Sequence, residues 1–372
     1  QAADIVLLTV PHAAQRATVE EVREALAGKI LIDATNPIGP GFTLALGHTT
    51  SGGEHVAARA RNARVVKAFH TTGVENMADP RYGERRLAMP IAGDDAAAVA
   101  TTAQLAEALG FSPVPLAKLS HARETEPLGM LWIKLALQLG HGRHIGFALA
   151  RRTGGDAAPP PELHGPKRTI TIVGTGRIGG ALARAWLRAG HAVRLAVRDP
   201  GAAEVQALVA DGAQTVAIAG AAAGADVVVL ALPAGAAVEV ARSLGELAGT
   251  IVIDCTNAIG RGGLRVGHTS SSSEELAAAL PGARVVRTFN QQGAEVLVNP
   301  MFGGLPATSF VAADDADARA AVATLVRDVG LDAVEVGPLA SSRLLEPMTI
   351  LWLAMAQALG SREVGLQLLR RP

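Results

Sequence analysis

Gly174, Gly176 and Gly179 fall in a Gly-x-Gly-x-x-Gly spacing between a short β-branched run, Thr169–Val173, and a stretch of strong helix formers at 181–189. That spacing suits the grip of a pyrophosphate. The first glycine permits a tight turn, the second lets the backbone approach the phosphates, and the third lets helix and strand pack closely. The turn residues Thr175, Arg177 and Ile178 belong to the same site. There the backbone N–H groups and the positive end of the helix dipole meet an anion. In a chain of 41 glycines the motif alone is weak. Its strand–turn–helix–strand setting makes it specific for a dinucleotide.

The next strand, 191–197, ends in Val197, Arg198 and Asp199. An acid at that point usually binds the ribose hydroxyls of NAD, whereas an arginine accepts the 2′-phosphate of NADP. Arg198 favours NADP. Asp199 is the competing feature, and both residues also suit an exposed turn before Pro200. A third strand, 225–232, brings Leu232 and Pro233 to the edge where ligands of open parallel sheets lie. A fourth, 251–253, is followed by Asp254 and Asn257. These two either stabilise a turn or touch cofactor or substrate.

The elements that carry these residues occur twice. "ADIVLLTVP" returns as "ADVVVLALP", "AGKILIDATN" as "AGTIVIDCTN", "GHTTSGGE" as "GHTSSSSE", and "ARVVKAFH" as "ARVVRTFN". The register holds from Asp4 and Asp226 to Trp132 and Trp352. The expected fold is an α/β, Rossmann-type doubly wound parallel sheet, tandemly repeated, each copy closing on a carboxyl-terminal helical segment. Residues 1–150 form a truncated first repeat. Residues 151–168, rich in Pro and Gly, read as an extended linker. Residues 169–372 form a complete nucleotide-binding repeat. The first copy has no counterpart of residues 169–222, and the chain opens on Gln1 beside a strand, which suggests a piece of a longer protein.

With 372 residues, 49% of them hydrophobic and 18% charged, the chain has material for two cores. The 34 basic and 34 acidic residues cancel, so no nucleic-acid surface is expected. The most apolar stretch, 347–359, is too short for a bilayer, which needs about 20 residues. The single cysteine, Cys255, excludes an internal disulfide and fits the cytoplasm.

Together the glycine turn, "ARVVKAFHTTG" and "ARVVRTFNQQG", "AGDD" and "AADD", and "GPLASSRLLEPMTILWLAM" resemble the 8-hydroxy-5-deazaflavin-dependent NADP oxidoreductases. The resemblance covers nearly all of the second copy and the nucleotide-distal part of the first. It implies hydride transfer between NADPH and a deazaflavin, with the two copies paired as an internal pseudo-dimer. That chemistry needs ring stacking and dryness more than a nucleophile or metal. His70 and Asn290, at equivalent strand ends, are the acceptor-side candidates. His48 and His268 in the "GHT" repeats are weaker ones, with the neighbouring Thr and Ser residues reading as helix caps. "IDATNP" and "IDCTNA" depart from the family pattern, which leaves the small-molecule acceptor open. Two alternatives stand beside this reading: a reductase of a small carbonyl or imine, and a non-catalytic NADP sensor or scaffold.

Overall fold

The computed structural model describes residues 3–152, 154–261 and 263–371. Among them the chain divides into two units. Unit 1 comprises those of Gln1–Leu149, Ile350–Ser361 and Gln367–Pro372; unit 2 comprises Ala150–Thr349 and Arg362–Leu366. The carboxyl-terminal segment thus contributes to both, whereas the sequence repeat assigns it wholly to the second copy.

Unit 1 is built on β1 (Ile5–Leu8), α1 (His12–Glu21), β2 (Ile30–Asp33), α2 (Gly52–Arg59), β3 (Arg64–Lys67), β4 (Ala88–Gly93), α3 (Ala96–Ala108), β5 (Ser112–Leu116) and α4 (Ala122–Ile133). Its sheet runs β1-β2-β3-β4-β5. The β3–β4 pair is antiparallel and the other three are parallel.

Unit 2 adds the nucleotide-binding elements: β6 (Thr169–Val173), α5 (Arg177–Ala189), β7 (Ala192–Ala196), α6 (Ala203–Ala210) and β8 (Gln214–Val216). It then repeats the pattern with β9 (Val227–Leu230), α7 (Ala234–Ser243), β10 (Ile251–Asp254), α8 (Ser272–Ala279), β11 (Arg284–Arg287), β12 (Thr308–Val311), α9 (Ala316–Asp328) and β13 (Asp332–Glu335), whereas α10 (Pro347–Ala358) begins in unit 2 and from Ile350 belongs to unit 1. The main sheet has the order β8-β7-β6-β9-β10-β11, with every pair parallel. This is the doubly wound arrangement, in which the chain reverses direction beside the first strand and opens a crevice at the carboxyl ends.

Alternation along the strands explains the two layers. Ile170, Ile172, Val227, Val229, Ile251 and Ile253 pack with Leu182 and Trp186 of α5 and with Val322 and Val326 of α9. Val228, Leu230 and Val252 face the other way, onto Ala241 of α7 and Leu276 of α8. Both faces are covered, as the near-continuous apolar strands of a parallel sheet require.

Residues 154–168 form no helix or strand, yet they are not a free tether. The Asp156 carbonyl accepts from Asn299 Nδ2 at 2.8 Å. Pro159 lies over Gly330, whose φ is +92° and whose missing Cβ would stand 2.7 Å from Pro159 Cγ. The backbone N–H of His164 donates to Asp328 Oδ1 at 2.6 Å, and His191 Nε2 lies 2.9 Å from the same carboxylate's Oδ2.

Candidate nucleotide and acceptor site

The cleft at the carboxyl edge of the unit 2 sheet measures about 550 Å³ and is bordered by Gly174, Thr175, Gly176, Val197, Arg198, Leu232 and Pro233. The three glycines differ in what surrounds them. Gly174 adopts φ +95°, and a Cβ there would fall 2.6 Å from the Ala231 carbonyl oxygen. At Gly179 a Cβ would fall 2.0 Å from the Gly174 carbonyl oxygen. These two weld turn, helix and neighbouring strand together. Gly176 is the opposite: a Cβ would meet no atom within 4 Å. The backbone there borders open space, and it also forms the N-cap of α5, which has no side-chain cap. The turn is therefore the kind of cradle into which a phosphate fits.

The two residues at the end of β7 have separate tasks. Asp199 Oδ1 accepts from the Gly201 N–H at 2.9 Å, closing its own turn. Arg198 is exposed and lines the cleft, as do Asp199 and Glu204. Among the described residues Arg198 is the only cationic side chain in that lining.

Other residues named from the sequence lie outside the cleft lining. The Arg177 side chain pairs with Glu295, which also binds Arg362 at 2.8 Å, so its backbone alone serves the turn. Ile178 packs against the core. Asn257 follows β10 and contacts Thr349. His70 belongs to unit 1, is 2% exposed and contacts Thr125 Oγ1 at 3.0 Å. Burial, aided by the Lys67 charge, pushes its imidazole well below the usual range, so it is neutral at physiological pH. Asn290 is 1% exposed; its Nδ2 donates to the Leu345 carbonyl at 3.0 Å and its Oδ1 accepts from Gln291 at 2.5 Å. Neither side chain borders the cleft.

The residues before them carry strain. Phe69 and Phe289 both adopt φ +61°, and His48 and His268 adopt +63° and +61°. Left-handed backbone at bulky residues persists only where the surroundings impose it. Both units impose it at matching positions of their sequences. The helix caps after the "GHT" loops are Ser51 and Ser271, which accept from the N–H groups of Glu54 and Glu274.

Sequence reasoning missed a buried charge cluster beneath each of these loops. In unit 1 the Lys67 ammonium lies 2.9 Å from Asp33 Oδ2, 3.1 Å from Glu126 Oε1 and 2.6 Å from the Thr35 carbonyl oxygen. Glu126 also accepts from the N–H groups of Gly52 and Gly53 at 2.9 and 3.0 Å, satisfying the start of α2. In unit 2 the equivalents are Arg287, Asp254 and Glu346. Arg287 Nη1 donates to Asp254 Oδ2 at 2.8 Å, and Glu346 accepts from the Ser272 N–H at 2.5 Å. Burial pushes the Glu346 carboxyl up, with the Arg287 charge opposing. The signal was present in the repeats, as Asp33/Asp254, Lys67/Arg287 and Glu126/Glu346, but each acid and base sits in an otherwise apolar strand or helix. Beside the unit 2 cluster, a second hollow of about 330 Å³ is lined by Asp254, Thr256, Arg265, Ser272 and the first turns of α7. Burial also pushes the Cys255 thiol up, which removes it as a nucleophile.

Residues 169–258 match the family model described as NADP oxidoreductase, coenzyme F420-dependent. The matched segment lies within unit 2. A curated relative, the metalloreductase STEAP3 of Rattus norvegicus, is 38% identical over 111 residues, 29% of this chain. The match spans 22% of that protein's length. Among solved structures, a putative F420-dependent NADP reductase from Arthrobacter sp. is 29% identical, covering 52% of this chain and 96% of that one, with a TM-score of 0.49. A hypothetical protein from Sinorhizobium meliloti is 30% identical, covering 48% and 88%, with a TM-score of 0.43. Among the described residues no helix is long and apolar enough to cross a membrane.

Proposed function

We propose that unit 2 binds NADP through the Gly174–Gly176–Gly179 turn and Arg198, and that the protein exchanges a hydride between NADPH and a deazaflavin-type acceptor. The observation that carries the nucleotide part is the contrast at the turn, where Gly174 and Gly179 leave no room for a side chain and Gly176 alone of the three borders open space. Bound NADPH supplies the hydride. The chain's own residues hold the phosphates at the start of α5, present a guanidinium to the 2′-phosphate, and keep the crevice apolar beside Leu232 and Pro233. The same reading takes the two units as a tandem duplication, supported by the matching clusters and strained loops. The acceptor-side roles of His70 and Asn290 remain part of it only as supports for their loops, since both side chains are bonded within their own units.

Stopped-flow absorbance with NADPH and oxidised 8-hydroxy-5-deazaflavin tests the proposal. Coupled loss of both chromophores is expected. Tight NADPH binding without transfer would keep the nucleotide site and remove the deazaflavin.

A further inference from the structure

The bond between Asn257 and Thr349 differs from its counterpart in unit 1. There, Asn36 Nδ2 donates directly to the His70 carbonyl at 2.8 Å. The residue three after Glu126 is Gly129, and a Cβ on it would stand 2.7 Å from the His70 oxygen and 2.8 Å from Asn36 Oδ1. The residue three after Glu346 is Thr349. Its hydroxyl oxygen lies 2.6 Å from the backbone oxygen of Asn290 and 2.6 Å from Asn257 Oδ1, two acceptors facing one hydroxyl.

A hydroxyl has one proton to give, and a backbone carbonyl can only accept. The Thr349 proton therefore goes to Asn290. The Asn257 atom facing Thr349 must then be a donor. The hydrogen bonds therefore require the two ends of the carboxamide to be exchanged, with Nδ2 toward Thr349 and Oδ1 away, since the two orientations of an amide are told apart only by such bonds. The opposite orientation would set two acceptors against one proton. Asn36 shows the same sense, with Nδ2 inward, and its Oδ1 is buried without a hydrogen-bond partner. Asn257 itself is half-buried and follows β10. Arg198 marks the adenosine end of the cleft at β7, and the turn after β6 marks the pyrophosphate. The other half of a dinucleotide then runs over the ends of β9 and β10.

We propose that Thr349 is a positioning residue that fixes Asn257 with its carbonyl oxygen outward, so that Asn257 accepts from the carboxamide N–H₂ of the nicotinamide ring. The inference rests on the NADP reading above. The group being read is a primary amide, a donor that a ketone lacks.

The test compares, by calorimetry on the full chain, NADP⁺ with its 3-acetylpyridine analogue, whose methyl ketone has no N–H. 2′-Phospho-ADP-ribose, which lacks the ring, serves as the control. The wild type is expected to prefer NADP⁺ by about 10-fold, the worth of one hydrogen bond. Asn257→Ala and Thr349→Val bring that ratio near one and leave the control ligand's affinity unchanged. Thr349→Ser restores the ratio, which a purely structural role for Thr349 would not require. A wild-type ratio of one, or a ratio that survives Thr349→Val, overturns the proposal. If neither NADP⁺ nor 2′-phospho-ADP-ribose binds, the nucleotide reading falls and this inference falls with it; if both bind without discrimination, only this inference falls.

Discussion

Lys67 and Arg287 end equivalent strands between equivalent carboxylates, but only Lys67 spends all its donors. Its ammonium meets Asp33, Glu126 and the Thr35 carbonyl. Arg287, equally buried, leaves Nε and Nη2 without hydrogen-bond partners, Nη2 standing 3.9 Å from Glu346 Oε1, and Glu346 Oε2 likewise accepts no hydrogen bond. A lost partner for a buried donor costs roughly 1–3 kcal/mol. Arg287→Lys is therefore expected to raise the denaturation midpoint of the protein. Lys67→Met, which strands two buried carboxylates, should cost about 3–5 kcal/mol. Urea titrations in which both variants shift the same way would show that this accounting is mistaken.

The glycine turn separates two kinds of damage. Gly176→Val places a side chain in the open cleft, so NADP⁺ affinity should fall by at least about 100-fold with the melting temperature nearly unchanged. Gly179→Ala should lower both, because its Cβ would collide with the Gly174 carbonyl. Calorimetry and thermal melts on the pair distinguish the two; full affinity in Gly176→Val would remove the turn from the site.

At the end of β7 the prediction concerns selectivity. Asp199 accepts from the Gly201 N–H, and Arg198 is the group that the proposed function assigns to the 2′-phosphate. Arg198→Ala should weaken NADPH by about 10- to 100-fold, in line with a charge-assisted contact of roughly 1.5–3 kcal/mol, and leave NADH nearly unaffected. Equal losses for both nucleotides would assign Arg198 to the turn alone.

The clamp on residues 154–168 carries a pH dependence. Burial pushes the Asp328 carboxyl up, but hydrogen bonds from His191 and from the His164 N–H outweigh it and hold the group below its ordinary range. A depressed folded value means that this stabilisation is complete above the unfolded value, about 3.9, and is lost as pH falls through the folded value. The stability gap between wild type and Asp328→Asn should hold from pH 7 to 5 and close toward pH 3. A gap that widens on acidification would contradict the assignment.

Much of the architecture was readable because glycine and apolar alternation are local signals. Gly174, Gly176 and Gly179 announced the turn, and Ile170, Ile172, Val227 and Val229 announced the strands. The charge clusters were not readable, since Lys67 and Asp33 lie 34 positions apart and look like ordinary surface residues until the sheet folds around them. The division of the carboxyl-terminal segment between units was hidden for the same reason: an apolar helix announces that it will be buried, not against what. His70 and Asn290 drew notice for their type and place; what the sequence could not give is their bonding, to Thr125 and to the Leu345 carbonyl.

The packing of Pro159 on Gly330 and of His164 on Asp328 has a practical corollary for anyone dissecting the chain. A fragment cut at residue 169, where the repeat begins, would expose the α5–α9 edge and leave the Asp328 carboxylate short of a partner. A cut near residue 150 keeps that edge dressed. The joint between the repeats is, in material terms, the outer coat of the second one, and its sequence is free to vary only as far as the surface beneath it allows.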